Sequence, residues 1–260
     1  MTFTSTTTAP ALETRGLTIR FGGHVAVNDV SCRFTPGTLT AIVGPNGAGK
    51  TTYFNLISGQ LKASAGQVLV EGEDVTGLPP SARTRRGLGR AFQLTNLFPQ
   101  LTALENVRLA VQSRADAGWS LFKVWNSRRD LIEKAESILE RVRLADKRHI
   151  APKALSHGDQ RKLEVALLIA MEPKVFMFDE PTAGMSVDEV PTVLELIHDI
   201  KQRGDSTVLL VEHKMDVVRS LSDRIIVLHN GTLVADGEPA EVIASPVVQE
   251  AYLGVEVARD

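Results

Sequence analysis

Apolar positions along the chain fall into two kinds of pattern. Residues 12–21 alternate enough for a half-buried strand, and residues 39–43 form a short unbroken apolar run suited to a buried one. A glycine-rich turn follows, then a helical pattern through Thr51, Phe54, Leu56 and Ile57. Residues 67–70 predict another strand, and 89–92 a return to the core. The middle of the chain changes period. Residues 103–113, 127–142 and 159–171 read as helices, and Ile132, Ala135, Ile138, Leu139 and Val142 make a packing stripe at helical spacing. Strands resume at 175–178, 207–211, 224–228 and 232–235, with a helix at 189–202 between the first two. Strand–helix alternation of this kind predicts a mainly parallel α/β sheet, here interrupted by a helical insert over about residues 94–171.

Composition narrows the class. The 260 residues, 43% hydrophobic and 23% charged, are enough to bury a sizeable core. A net charge of -2 provides no overall basic field for nucleic acid. The single cysteine, Cys32, excludes an intrachain disulfide and reads as a small buried strand residue. No apolar run reaches the ~18 residues of a membrane helix. Residues 1–10 are Thr-rich, without the basic and apolar regions of a signal peptide, and are expected to be a disordered tail. A cytosolic protein is expected unless something else holds it at a membrane. Arg83, Arg85, Arg86 and Arg90 form a basic cluster, expected on a solvated or partner-facing surface rather than against lipid or nucleic acid. Trp119, Phe122 and Trp125 are expected to pack within the helical insert, with a membrane-surface contact as the alternative.

Two segments carry chemistry. Gly44-Pro45-Asn46-Gly47-Ala48-Gly49-Lys50-Thr51 matches the phosphate-loop pattern between a predicted strand and a predicted helix. Its glycines let backbone N–H groups turn inward, and the helix start adds the positive end of its dipole. Lys50 is then expected to reach the β- and γ-phosphates, and the Thr51 hydroxyl a magnesium ion. A chance match in a chain of this length has a probability of roughly one in a hundred. The second segment is Val175-Phe176-Met177-Phe178-Asp179-Glu180, four apolar residues ending in two carboxylates. Asp179 is placed to hold magnesium, and Glu180 to polarise the attacking water as general base. Alone, such a strand end could be a solvated acidic turn; with the phosphate loop it points to a nucleotide triphosphatase.

From residue 12 to about 254 the chain resembles the ABC ATPase family. The deciding segment is Leu155-Ser156-His157-Gly158-Asp159-Gln160, which is similar to the family signature Leu-Ser-Gly-Gly-Gln, with His157 for a Gly and Asp159 for the Gln. Ser156 with Asp159 three residues on is also a capping-box pattern, in which the Asp159 carboxylate turns back to the Ser156 N–H. The resemblance implies a phosphate-loop NTPase core of RecA type, with an N-terminal antiparallel β portion and an inserted helical subdomain. It implies one domain over residues 11–254, with core parts 11–93 and 172–254, helical part 94–171, and a tail at 255–260. It further implies that ATP and magnesium are bound. The nucleotide would be held by Gly44 to Thr51 with Thr52, and its adenine by Phe21, whose other reading is a core residue at a strand end. Gln93 would touch magnesium and the water, His213 the γ-phosphate, and Ser156 and Gly158 the γ-phosphate of ATP on an opposite subunit. Ser186 stands where the family often has an Asp after the Pro-Thr turn.

Within the family the chain most resembles ATP-binding subunits of branched-chain amino-acid importers. That likeness is carried by Phe21-Gly22-Gly23 with Ala26 to Val30, Asp179 to Met185, Gly118 to Phe122, and Ala251 to Gly254. It implies a peripheral subunit at the cytoplasmic face of the inner membrane. Expected partners are a second ATPase subunit (a copy or a paralogue), integral permease subunits and, indirectly, a substrate-binding protein, but not nucleic acid. A urea or amide importer and an exporter remain the alternatives. Residues 94–101 (Leu-Thr-Asn-Leu-Phe-Pro-Gln-Leu) are too apolar for a free loop; in the family this region receives a cytoplasmic helix of the permease, while Leu97 and Phe98 could instead pack inside the helical insert.

Overall fold

A computed structural model describes residues 9–91, 97–115 and 129–253. The chain divides into two compact units. The first takes residues up to Leu88, Lys174–Glu180 and residues from Asp199 onward; the second takes Gly89–Pro173 and Pro181–His198.

The first unit holds two sheets. Strands β1 (Leu12–Phe21), β2 (His24–Phe34), β4 (Ala65–Val70) and β5 (Glu73–Asp74) form an antiparallel sheet of order β2-β1-β4-β5. Leu12 faces Phe34 and Val70, and Thr14 faces Cys32 and Val68, so β1 is paired on both edges. The other sheet has the order β10-β9-β3-β8-β7-β6, from β3 (Leu39–Val43), β6 (Leu88–Ala91, of which only Leu88 belongs to the first unit), β7 (Val175–Asp179), β8 (Thr207–Val211), β9 (Arg224–His229) and β10 (Thr232–Gly237). β3 runs parallel to β8 and β9, and β7 parallel to β8; only β10, a hairpin partner of β9, is antiparallel among the registers described. Every residue of β3, β7 and β8 is buried. That is the signature of parallel strands covered on both faces, and explains why they read as unbroken apolar runs.

Helix α1 (Lys50–Ser58) packs between the two sheets. Tyr53, Phe54, Leu56 and Ile57 join one core with Leu12, Leu17 and Phe34 on one side and Met177, Leu209 and Val211 on the other. Cys32 lies in this core, as a strand residue, with the Thr14 hydroxyl bonded to Tyr53 OH at 2.7 Å nearby. The opposite face of the parallel sheet is covered by α7 (Met215–Leu221), α8 (Pro239–Ala244) and α9 (Pro246–Leu253): Val218, Val242 and Val248 meet Ala41, Val43, Ile225 and Val227.

The second unit is helical: α3 (Ala103–Arg114), α4 (Arg129–Arg141), α5 (His157–Met171) and the first part of α6 (Val190–Gln202). Ala135, Ile138, Leu139 and Val142 are buried as the stripe predicts, but it begins at buried Leu131, with Ile132 only half-buried beside it. Thr102 and Glu105 close a reciprocal capping box at the start of α3. Buried Asn106 ties down the preceding loop, accepting from the Phe98 N–H at 2.8 Å and donating to the Leu101 and Thr102 carbonyls. The Phe98 ring itself is 56% exposed, so it does not pack inside the helices. Trp119, Phe122 and Trp125 lie outside the described residues.

The basic cluster is not one surface. Arg83, on α2 (Pro80–Arg85), is buried. Its guanidinium donates to the carbonyls of Leu56 (2.7 Å), Ile57 (2.6 Å), Thr76 (2.7 Å) and Leu78 (3.0 Å). It thereby satisfies the last carbonyls of α1, where a cation also meets the negative end of the helix dipole. Burial pushes its pKa below the usual arginine value, and the Asp74 carboxylate opposes that shift. Arg86 instead forms an exposed ion pair with Glu73. Arg83→Met keeps the bulk of the stem but removes four hydrogen bonds from buried carbonyls. The variant is expected to lose about 3 kcal/mol of stability, seen as a fall of several degrees in Tm. An unchanged melting temperature would overturn this account of how α1 is held.

Candidate functional site

Three neighbouring parallel strands deliver their C-terminal ends to one edge of the first unit. The turn after β3 is the glycine-rich loop, and it runs directly into α1. Gly49, the N-cap, adopts φ 96°, and a Cβ there would lie 2.5 Å from the Ala26 carbonyl oxygen, so only glycine fits. No side chain caps this helix start. The first N–H groups of a helix have no partner within it and can meet an anion. Asn46 and Gly47 are exposed at the loop's tip, while Thr51 and Thr52 are half-buried on the first turn. Lys50 is buried, with Nζ donating to the carbonyls of Gly44 (2.7 Å) and Pro45 (2.9 Å). Burial pushes its ammonium below the usual lysine pKa, and the charges of Glu180 and Asp179 work the other way. A buried lysine among carboxylates, resting on its own loop, has a cation ready for a phosphate.

β7 ends in buried Asp179, and Glu180 follows with φ 51°. A non-glycine residue in the left-handed region is strained. It is held there by its N–H donating to the Val211 carbonyl at 2.9 Å, the last residue of β8. The strain turns the Glu180 side chain out of the sheet, where Oε1 lies 2.8 Å from His213 Nε2; both side chains are about 40% exposed. His213 is aimed in turn by Glu212, a buried carboxylate that accepts from the N–H groups of His213 (2.8 Å) and Lys214 (3.3 Å). Sequence reasoning passes over Glu212. The available signal is the same as at Asp179: an apolar run, 207–211, that stops on a carboxylate. Phe21, at the end of β1, is 49% exposed, which sets aside a core role for its ring. Gln93 lies outside the described residues.

The second unit holds Ser156 and Gly158. Ser156 is the N-cap of α5, and its hydroxyl accepts from the Asp159 N–H at 3.2 Å. The reciprocal half of the capping box does not form. The Asp159 carboxylate goes instead to Lys147 Nζ (2.5 Å) and Lys162 Nζ (3.0 Å). Two ammonium groups outcompete one backbone N–H for a buried carboxylate. Ser156 Oγ also donates to Glu189 Oε1 at 3.2 Å, and Glu189 Oε2 accepts from the hydroxyl (3.0 Å) and N–H (3.3 Å) of Ser186.

The Asp159 pairing has a pH signature. Burial works to raise its pKa, but Lys147 and Lys162 hold it below the usual carboxylate range. A carboxylate depressed in the folded state stabilises fully above its unfolded pKa of about 3.9 and loses that contribution as pH falls through the folded value. Asp159→Asn is therefore expected to cost stability at neutral pH, with the deficit against the parent shrinking in acid. Urea unfolding of both chains at neutral and acid pH measures it; a deficit of constant size would overturn the pairing.

The chain is similar to known proteins in both sequence and fold. A family model described as "ABC transporter" matches residues 27–183, and one described as "Branched-chain amino acid ATP-binding cassette transporter" matches 232–258. The chain is 38% identical, over 94% of its length and 98% of the relative's, to the high-affinity branched-chain amino acid transport ATP-binding protein LivG of Escherichia coli. Identity and coverage are the same for the corresponding protein BraF of Pseudomonas aeruginosa. Among solved structures, it is similar to the ADP conformation of MJ1267, an ATP-binding cassette of an ABC transporter, with a TM-score of 0.81 and 30% identity over 95% of this chain and 100% of that one. Taken with the phosphate loop and the carboxylates beside it, these likenesses show that the chain belongs to the ABC transporter family, as one of its ATP-binding, ATP-hydrolysing subunits.

Proposed function

We propose that this subunit hydrolyses ATP through Glu180 and uses the cycle to drive import of branched-chain amino acids. The observation that carries the chemical part is the Glu180–His213 pair, held beside the phosphate loop by the ends of adjacent strands. In this reading the N–H groups of the loop and α1 cradle the phosphates, and Lys50 leaves its carbonyls to meet the γ-phosphate. Glu180 takes the proton of the attacking water at Oε1, with the neighbouring His213 steering that carboxylate and touching the γ-phosphate. Phe21, half-exposed, offers its face to the adenine.

Magnesium fits the donors present. Among the described residues no three His, Cys, Asp or Glu side chains cluster into a protein-made cage. A magnesium ion held mainly by nucleotide phosphates and water asks for less: a hydroxyl and a carboxylate, which Thr51 and buried Asp179 supply, with Gln93 as the further proposed ligand. Bound there, it would neutralise charge developing on the phosphates.

The cargo assignment rests on the relatives' names and the family match at the C-terminal end. None of the described helices is long and apolar enough to cross a membrane. The relatives are named as transport ATP-binding proteins, and on that ground integral permease subunits are the proposed partners, with this subunit at the cytoplasmic face. Exposed Phe98 and the loop around it, on the second unit, are the proposed docking surface. A second ATPase subunit completes the site, its own Ser156 and Gly158 equivalents meeting this chain's γ-phosphate.

Glu180→Gln keeps the shape and removes the base. On the complex co-purified with its membrane partners, hydrolysis is expected to fall by roughly 10²–10⁴, about 3–5 kcal/mol of barrier, while ATP binding persists. Near-normal turnover would sink the assignment, and leucine uptake tested against urea uptake in the same vesicles decides the cargo. The shared site has its own test. If two copies pair, Ser156→Arg and Lys50→Ala chains are each inactive alone, but mixing them puts both defects in one composite site and restores part of the activity through the other. Full-rate hydrolysis by protein shown to be monomeric in ATP would refute the sharing.

A further inference from the structure

The start of α5 already has an anion on it. The Glu189 carboxylate accepts from Ser156 Oγ through Oε1. It also sits directly on Gly158: a Cβ at that glycine would lie 2.3 Å from both Cδ and Oε1 of Glu189. The other oxygen, Oε2, is occupied by the hydroxyl and N–H of Ser186. Those two bonds account for Glu189 as a turn-former ahead of α6. They do not account for Oε1, which reaches across to the two residues proposed to receive a phosphate. The surroundings favour a negative charge there. The helix dipole presents its positive end, and the one acid within the first turn, Asp159, is neutralised by Lys147 and Lys162. The Ser186 hydroxyl, with its N–H and Ser156, keeps Glu189 below the usual carboxylate pKa, so it is ionised at neutral pH.

We propose that Glu189 is an internal stand-in for the γ-phosphate, occupying the Ser156–Gly158 seat in the free subunit and leaving it when the ATP of a second subunit arrives. A helix start seats one anion, so the carboxylate and the phosphate compete. The contact makes the seat harder to fill, and so raises the ATP concentration at which two subunits close. It also charges the segment after Glu180 with a role: Pro181–His198 belongs to the same unit as Ser156, and its Glu189 must move for the seat to open. This inference rests on the role proposed above for Ser156 and Gly158.

The test is steady-state ATP turnover of the complex co-purified with its native membrane partners, over a range of ATP–magnesium concentrations. Glu189→Gln removes the charge but keeps an acceptor for Ser186. It is expected to lower the half-maximal ATP concentration by about three- to tenfold, the strength of a partly exposed charge contact. Glu189→Asp keeps the charge and shortens the reach, and is expected to shift it the same way; it serves if the Gln variant does not assemble. An unchanged or raised half-maximal concentration in both variants overturns the stand-in. Ser156→Arg in the same assay separates the two readings. If it abolishes turnover while the Glu189 variants behave as the parent, only the stand-in falls. If it leaves turnover intact, the proposed role of Ser156 falls first.

Discussion

A strand buried on both faces has no side chain to spare for chemistry along its length. β3, β7 and β8 are in that position, with every residue in the core. Function in such a sheet is confined to strand ends, and parallel pairing gathers the C-terminal ends on one edge. Pairing β3 with β8 and β8 with β7 brings a glycine loop, a histidine and two carboxylates together from parts of the chain more than a hundred residues apart. The backbone bond from Glu180 N–H to the Val211 carbonyl is the point at which this pairing becomes chemistry. It extends the β7–β8 ladder past Asp179 into a strained residue and turns that residue's carboxylate toward His213.

The rest of the first unit keeps that edge still. α1 carries the phosphate loop at one end, and its other end is clamped by Arg83. The antiparallel sheet presses on α1 from one side and the parallel sheet from the other, through a single apolar core. A helix held at its C-terminus and along its length can offer an uncapped N-terminus to a ligand without fraying. Lys50 shows the same economy: a buried ammonium satisfied by two loop carbonyls loses little by exchanging them for phosphate oxygens.

The second unit offers a contrasting helix start. α5 is capped by Ser156, and the charges around its start have partners: Asp159 has two lysines, and the helix dipole has Glu189. No side chain caps the start of α1, whereas the start of α5 meets a carboxylate supplied by the chain itself.

Much of this was legible from residue order. Unbroken apolar runs mark β3, β7 and β8, because a strand covered on both faces can hold nothing else, and the phosphate-loop glycines and the Asp179-Glu180 pair are local patterns with local causes. β2 was not legible as a full strand, because its alternation breaks at Asn28-Asp29, where Asp29 takes φ 53°. Nor was the fate of the charged residues. Arginines 83 and 86 look alike in sequence, yet one is buried on four carbonyls and the other pairs on the surface; Asp159 looked like a cap and became a partner of two lysines. Apolar patterning is set by how much surface each element must bury, which the chain states along its length. A charged side chain instead takes whichever partner, near or far in sequence, repays its desolvation best, and only the tertiary structure brings those partners within reach.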